Sequence, residues 1–103
     1  MTVMMLAPPS QYDHPYRGHV IEQRLSAAQI ARLCPGEACA TVIKGVCHIM
    51  LPNDEKDRRV IALMRRHEIG HCNGWPASHP NGRMVEIGGH QIRINKSLSI
   101  TFY

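Results

Sequence analysis

The 103-residue sequence lacks several features that would place a protein in a class at once. It has no apolar run approaching the roughly 18 residues that span a bilayer, so we expect no transmembrane helix. No Lys or Arg precedes the apolar segment at the start of the chain, which makes it a poor secretory signal and favours a cytoplasmic location. Aromatic residues make up only 5%, too few for the stacking platforms that bind single-stranded nucleic acid.

Charge and cysteine content set weaker limits. The formal net charge of +4 suits anionic partners, but without aromatic platforms it makes a nucleic-acid partner unlikely on balance. The four cysteines contain no C-x-x-C pair, which disfavours a four-cysteine zinc site. They can be free buried thiols or form disulfides in any of three pairings, and the sequence leaves this open.

The length and the absence of repeats predict one domain over residues 1–103, with residues 1–17 as an extended arm. A strand opens at His19–Ile21, and the capping box of Ser26 and Gln29 begins a short helix that ends near Leu33. The β-branched residues of 40–51 predict one strand with a bulge or bend at Gly45. Alternating apolar residues predict a hairpin over 85–94 around Gly88-Gly89 and a final strand over 98–102.

Residues 54–73 give the clearest pattern in the sequence. Apolar residues and histidines recur at three- and four-residue steps on one face, whereas four arginines occupy the other. Asn53 or Asp54 is the expected N-cap, and Gly74 suits the left-handed position just beyond the C-terminus. We predict a helix from about Asp54 to Asn73.

Within this helix lies the sequence His67-Glu68-Ile69-Gly70-His71. Four residues make just over one turn, so both imidazoles project from the same face and can bind one ion. Zn²⁺ bound in this way lowers the pKa of a coordinated water, and Glu68 can act as general base without being a ligand. The motif predicts metal-assisted hydrolysis of an amide bond.

A catalytic zinc site needs a third protein ligand. Gly74 ends the helix and reverses the chain, so we predict that His79 returns to the metal. Resemblance to the zincins that use a glutamate as third ligand would place that ligand on a later helix. The only acidic residue after Glu68 is Glu86, which falls in a predicted strand, so this alternative is poor.

These residues resemble the zincin metallopeptidases, and more closely their metzincin branch, whose pattern is H-E-x-x-H-x-x-G-x-x-H. His67, Glu68, His71 and Gly74 match that pattern. The chain departs from it at Ala77, where the family has its third histidine, and His79 follows two residues later. The resemblance covers about residues 46–84 and implies an α+β fold in which a small mixed or antiparallel sheet packs on a long active-site helix, with one short helix besides.

The resemblance also implies roles for residues outside the motif. The strand before the active-site helix would bind an extended peptide by strand addition through His48, Ile49 and Met50. Met84 would lie beneath the zinc, as in the methionine turn of metzincins. Five residues are candidates for stabilising the developing oxyanion, and the sequence does not choose among them: Tyr12, Tyr16, His48, Arg83 and His90.

The sequence therefore predicts a zinc-dependent metallopeptidase in which His67, His71 and His79 hold Zn²⁺. Its small size favours a shallow cleft and a narrow range of peptide or protein substrates. One alternative is a non-catalytic module, zinc-stabilised or metal-free, that binds a protein or nucleic acid through its basic face. Another is a cell-wall amidase or endopeptidase with the same site. Oligomeric state is not predicted.

Overall fold

The computed structural model describes residues 1–90, which form an α+β fold of two helices and two small sheets. The α+β prediction is therefore confirmed for this part of the chain. The predicted strand segments at 92–94 and 98–102 lie outside the described residues. The elements in chain order are β1 (Val3–Ala7), β2 (Val20–Leu25), α1 (Ala27–Leu33), β3 (Cys39–Ile43), β4 (Val46–Pro52), α2 (Arg58–Cys72) and β5 (Arg83–Ile87).

The first helix is the one that the capping box predicts. Ser26 accepts a hydrogen bond from the Gln29 backbone N–H, and the Gln29 side chain accepts one from the Ser26 backbone N–H. Both bonds satisfy donors that a helix N-terminus otherwise leaves unpaired. The helix ends at Leu33, as predicted, before Pro35-Gly36.

Residues 40–51 form two strands, so the prediction of one strand with a bulge was wrong. Lys44 and Gly45 both have positive φ, at 50° and 80°, and make a two-residue turn between β3 and β4. Positive φ at both central positions is typical of tight hairpin turns whose twist matches that of the strands. β4 then pairs antiparallel with β3 and parallel with β2, in the order β2-β4-β3.

The second helix begins later than predicted. Asp57, rather than Asn53 or Asp54, is the N-cap, and its carboxylate accepts a hydrogen bond from the Arg59 N–H. Glu55 turns inward and lies 2.8 Å from buried His90. At the other end, Cys72 is the last helical residue and Gly74 has a φ of 107°, the conformation expected just past a helix C-terminus.

The first residues are not a free arm, because β1 is part of the core. It pairs antiparallel with β5, and its alternate residues Val3, Met5 and Ala7 are buried against the apolar face of α2. Pro8 follows at the end of the strand and packs directly over Gly70 of α2. This segment consequently forms one wall around the C-terminal half of α2.

All four cysteines form disulfide bonds. Cys34 is bonded to Cys39, and Cys47 of β4 is bonded to Cys72 at the end of α2. The second disulfide fixes the C-terminal end of α2 to the central strand of the three-stranded sheet. Nowhere in residues 1–90 is there a helix with the length and apolarity needed to cross a membrane.

Candidate metal centre

Three histidine side chains converge where α2 ends. His67 and His71 lie one turn apart on α2, and His79 approaches from the loop that follows. Their Nε2 atoms form a triangle with sides of 3.1, 3.1 and 3.2 Å. This group can hold a metal ion, with each imidazole supplying one nitrogen.

Backbone carbonyl groups orient two of the three rings. The Nδ1 atom of His67 lies 2.7 Å from the Leu6 carbonyl oxygen, and that of His71 lies 2.8 Å from the Trp75 carbonyl oxygen. Because a carbonyl only accepts, each Nδ1 carries a proton and donates it, which leaves the Nε2 lone pair facing the cluster. Such outer hydrogen bonds are the usual way to fix the tautomer of a metal-binding histidine.

The nitrogen triangle fits a tetrahedral cation. With Zn–N distances of about 2.0–2.1 Å, tetrahedral geometry separates neighbouring ligand nitrogens by about 3.3 Å. The observed sides are close to that value. The lone pairs of His67 and His71 also point at each other across 3.2 Å, an unfavourable contact that a cation between them would make favourable.

The surroundings keep the three imidazoles neutral. Burial lowers the pKa of His67 to about 4, with the neighbouring His71 and His79 acting in the same direction and the Leu6 carbonyl opposing them. Burial also lowers the pKa of His71 and of His79. Neutral imidazoles are the form that binds a metal, so no deprotonation is needed at neutral pH.

Glu68 follows His67 in α2 and is fully buried. Neither of its carboxylate oxygens has a hydrogen-bond partner within residues 1–90, and burial raises the pKa of this carboxyl to about 9. An unpartnered buried carboxyl group is costly, typically by about 1–3 kcal/mol. A cation bound by the histidines, together with an ordered water, would supply the positive charge and the hydrogen-bond donor that the Glu68 carboxylate lacks.

The loop carrying His79 has an unusual backbone. His79 and Asn81 both have positive φ, at 58° and 57°, a region that non-glycine residues rarely occupy. The His79 N–H donates to the Pro76 carbonyl, and the Gly82 N–H donates to the His79 carbonyl. These two bonds close tight turns on either side of His79 and bring its ring back to the helix end, as predicted from Gly74.

The predicted peptide-binding strand has no free edge. β4 is the central strand, and both of its edges are already paired, with β2 and with β3. Cys47 and Ile49 are buried on the side facing α2, so the alternation along the strand directs His48 and Met50 to the opposite face of the sheet. Strand addition to β4 is therefore wrong for this fold.

Two further predicted residues do not reach the metal centre. Met84 is 57% exposed on β5 and cannot form a buried floor for the site. His90 lies at the other end of α2, where it contacts Glu55 and its N–H donates to the Met1 carbonyl. Neither position suits the role that the sequence suggested.

The remaining oxyanion candidates are held in other contacts or lie apart from the cluster. Tyr16 donates its hydroxyl hydrogen to the Gly45 carbonyl at the hairpin turn. Arg83 donates to the Pro8 carbonyl and to the carboxylate of Asp13. Tyr12 lies against Gly74, just beyond α2, with its ring 3.7 Å from where a Cβ of that glycine would be. Among the contacts described for residues 1–90, none joins Tyr12, Tyr16 or Arg83 to the histidine cluster.

Trp75, which no motif in the sequence indicated, packs against all three histidine rings. The centroid of its ring lies 5.0 Å from that of His67, 4.8 Å from that of His71 and 4.9 Å from that of His79. The sequence signal for it is that the only tryptophan in the chain lies four residues after His71 and four before His79. No family model, curated protein or solved structure matches this chain.

Proposed function

We propose that this protein is a zinc-dependent hydrolase that cleaves a peptide or related amide bond. The observation that carries the proposal is the convergence of the His67, His71 and His79 Nε2 atoms to within 3.2 Å of one another. Three neutral nitrogen ligands leave a tetrahedral ion one position for water or substrate, which is the usual arrangement of catalytic rather than structural zinc. Zinc bound there would acidify water and polarise a carbonyl group.

Residues of the chain itself would transfer the proton and orient the metal-binding rings. Glu68 would take the proton from the attacking water and deliver it to the leaving amine. Without a metal ion, burial raises the pKa of this carboxyl to about 9. The positive charge of a bound ion would lower that pKa, so that Glu68 could be ionised and accept the proton. The Leu6 and Trp75 carbonyls keep the rings of His67 and His71 in the metal-binding tautomer.

β3 is a more suitable strand than β4 for binding an extended substrate. β3 is an edge strand among residues 1–90, and it packs against α2. Val42 of β3 is in register with Cys47, whose disulfide to Cys72 lies at the metal-site end of the helix. We therefore place the peptide along the outer edge of β3, where backbone hydrogen bonds would hold it.

The central experiment compares Glu68→Gln with His71→Ala after zinc loading, using a fluorogenic peptide library. Glu68→Gln keeps the three ligands, so we expect it to retain zinc and to lose on the order of 10²–10⁴ in hydrolysis rate. His71→Ala removes a ligand and should lose both zinc and activity.

Glu86→Gln is the matched control, because Glu86 is exposed on β5 and lies outside the cluster. It should behave as the parent protein. Equal activity in Glu68→Gln and the parent would contradict the mechanism. Retained zinc with no cleavage of any library member would contradict the hydrolase and favour a zinc-stabilised binding module.

A further inference from the structure

We infer that Trp75 is the positioning residue of the metal centre and holds the three imidazoles in place from the buried side. The inference rests on the proposed metal site. Trp75 is 2% exposed and is the largest fully buried side chain within residues 1–90.

The contacts of Trp75 are shared evenly among the three histidines. The centroids of the four rings lie between 4.8 and 5.0 Å apart in every pairing. The indole stacks on His71, with 16° between their planes, and meets the other two imidazoles edge to face. Both arrangements are favourable for aromatic pairs. One side chain therefore restrains all three rings at once.

Hydrogen bonds fix Trp75 to both segments that carry ligands. Its backbone N–H donates to the Gly70 carbonyl of α2, and its own carbonyl accepts from His71. Its indole N–H donates to the carbonyl of Pro80, the residue after His79. Trp75 thus ties the helical ligands to the loop ligand.

Two glycines make room for the indole. A Cβ on Gly70 would lie 3.3 Å from Trp75 Cε3, and one on Gly82 would lie 3.1 Å from Trp75 Cζ2. Trp75 is buried, whereas His71 and His79 keep part of their surface exposed. The indole consequently lies on the interior side of the cluster, and the exposed side is left for water and substrate.

The test uses Co²⁺ in place of zinc, because its visible absorption reports coordination geometry. Trp75→Leu removes the aromatic surface and the indole N–H, and Trp75→Phe keeps a ring but loses the bond to Pro80. We expect Trp75→Leu to bind Co²⁺ at least tenfold more weakly than the parent, with an altered spectrum. Trp75→Phe should fall between the two. Met84→Leu is the control and should match the parent in affinity and spectrum.

Fluorescence gives a second measurement that needs no variant. Trp75 is the only tryptophan, so Co²⁺ bound by the histidines should quench most of the emission of the parent protein. Unchanged Co²⁺ affinity and spectrum in folded Trp75→Leu would overturn the role of Trp75 alone. If that variant does not fold, a parent-like Trp75→Phe together with unquenched parent emission would overturn it. Failure of the parent to bind Co²⁺ would instead reject the metal site itself.

Discussion

At the scale of single residues, the candidate metal centre depends on atoms that a motif does not show. The spacing of His67 and His71 places two rings on one face of a helix, but the spacing says nothing about their tautomers. Those are set by the carbonyls of Leu6 and Trp75, one distant in sequence and one beyond the helix end. Gly70, between the two histidines, matters because Pro8 and the indole both pack against it.

We predict that Gly70→Ala destabilises the protein by about 1–3 kcal/mol, although alanine favours helix formation. The new Cβ would lie 2.4 Å from Pro8 Cγ, and the rigid, buried proline ring cannot turn away. Urea unfolding measures the change. Gly88→Ala is the control, because within residues 1–90 no atom beyond its chain neighbours lies within 4 Å of the added methyl group, and little change is expected. Equal stability of the two variants would contradict close packing at Gly70.

At the scale of elements, local patterns in the sequence predicted the helices better than the strands. The capping box and the helical periodicity give α1 and most of α2, because both signals come from residues within a few positions of one another. The β3–β4 turn was missed because Lys44-Gly45 is not among the strongest turn pairs. The burial of β1 was missed because its partner, β5, lies some 80 residues further along the chain.

The convergence of the three histidines was predictable to a similar degree. The spacing of the motif gives His67 and His71, and the helix-ending glycine gives the return of His79. The role of the Leu6 carbonyl could not be predicted, and Trp75 gave only its position between His71 and His79 as a signal, because both roles come from tertiary packing around the helix end. The position of β4 was misjudged for the same kind of reason, since chain order alone does not tell which strand lies at a sheet edge.

The two disulfides should differ in their contributions. A chain-entropy estimate gives about 3.5 kcal/mol for Cys47–Cys72, which spans 25 positions, and about 2.2 kcal/mol for Cys34–Cys39, which spans 5. We predict that Cys47→Ala/Cys72→Ala loses more stability than Cys34→Ala/Cys39→Ala. Only the former should also weaken zinc binding, since Cys72 follows His71. Thermal unfolding and chelator competition measure the two effects, and equal zinc affinity in both double variants would contradict the coupling.

At the scale of the whole molecule, the two sheets and α2 are arranged around one end of the helix. β1 supplies a carbonyl for His67 and a proline wall, and β4 holds the helix end by a disulfide. The loop before β5 supplies His79. Three separate parts of a small chain thus meet at one cluster, which is why a site of this kind fits within about 90 residues.

The most direct test of the central claim is X-ray absorption at the zinc edge of the zinc-loaded protein. We predict one zinc per chain, bound by three imidazole nitrogens at about 2.0–2.1 Å and one oxygen, with no sulfur neighbour. Sulfur near 2.3 Å would indicate a closed structural site that includes a cysteine, and it would contradict a catalytic centre formed by His67, His71 and His79. So would the absence of bound zinc.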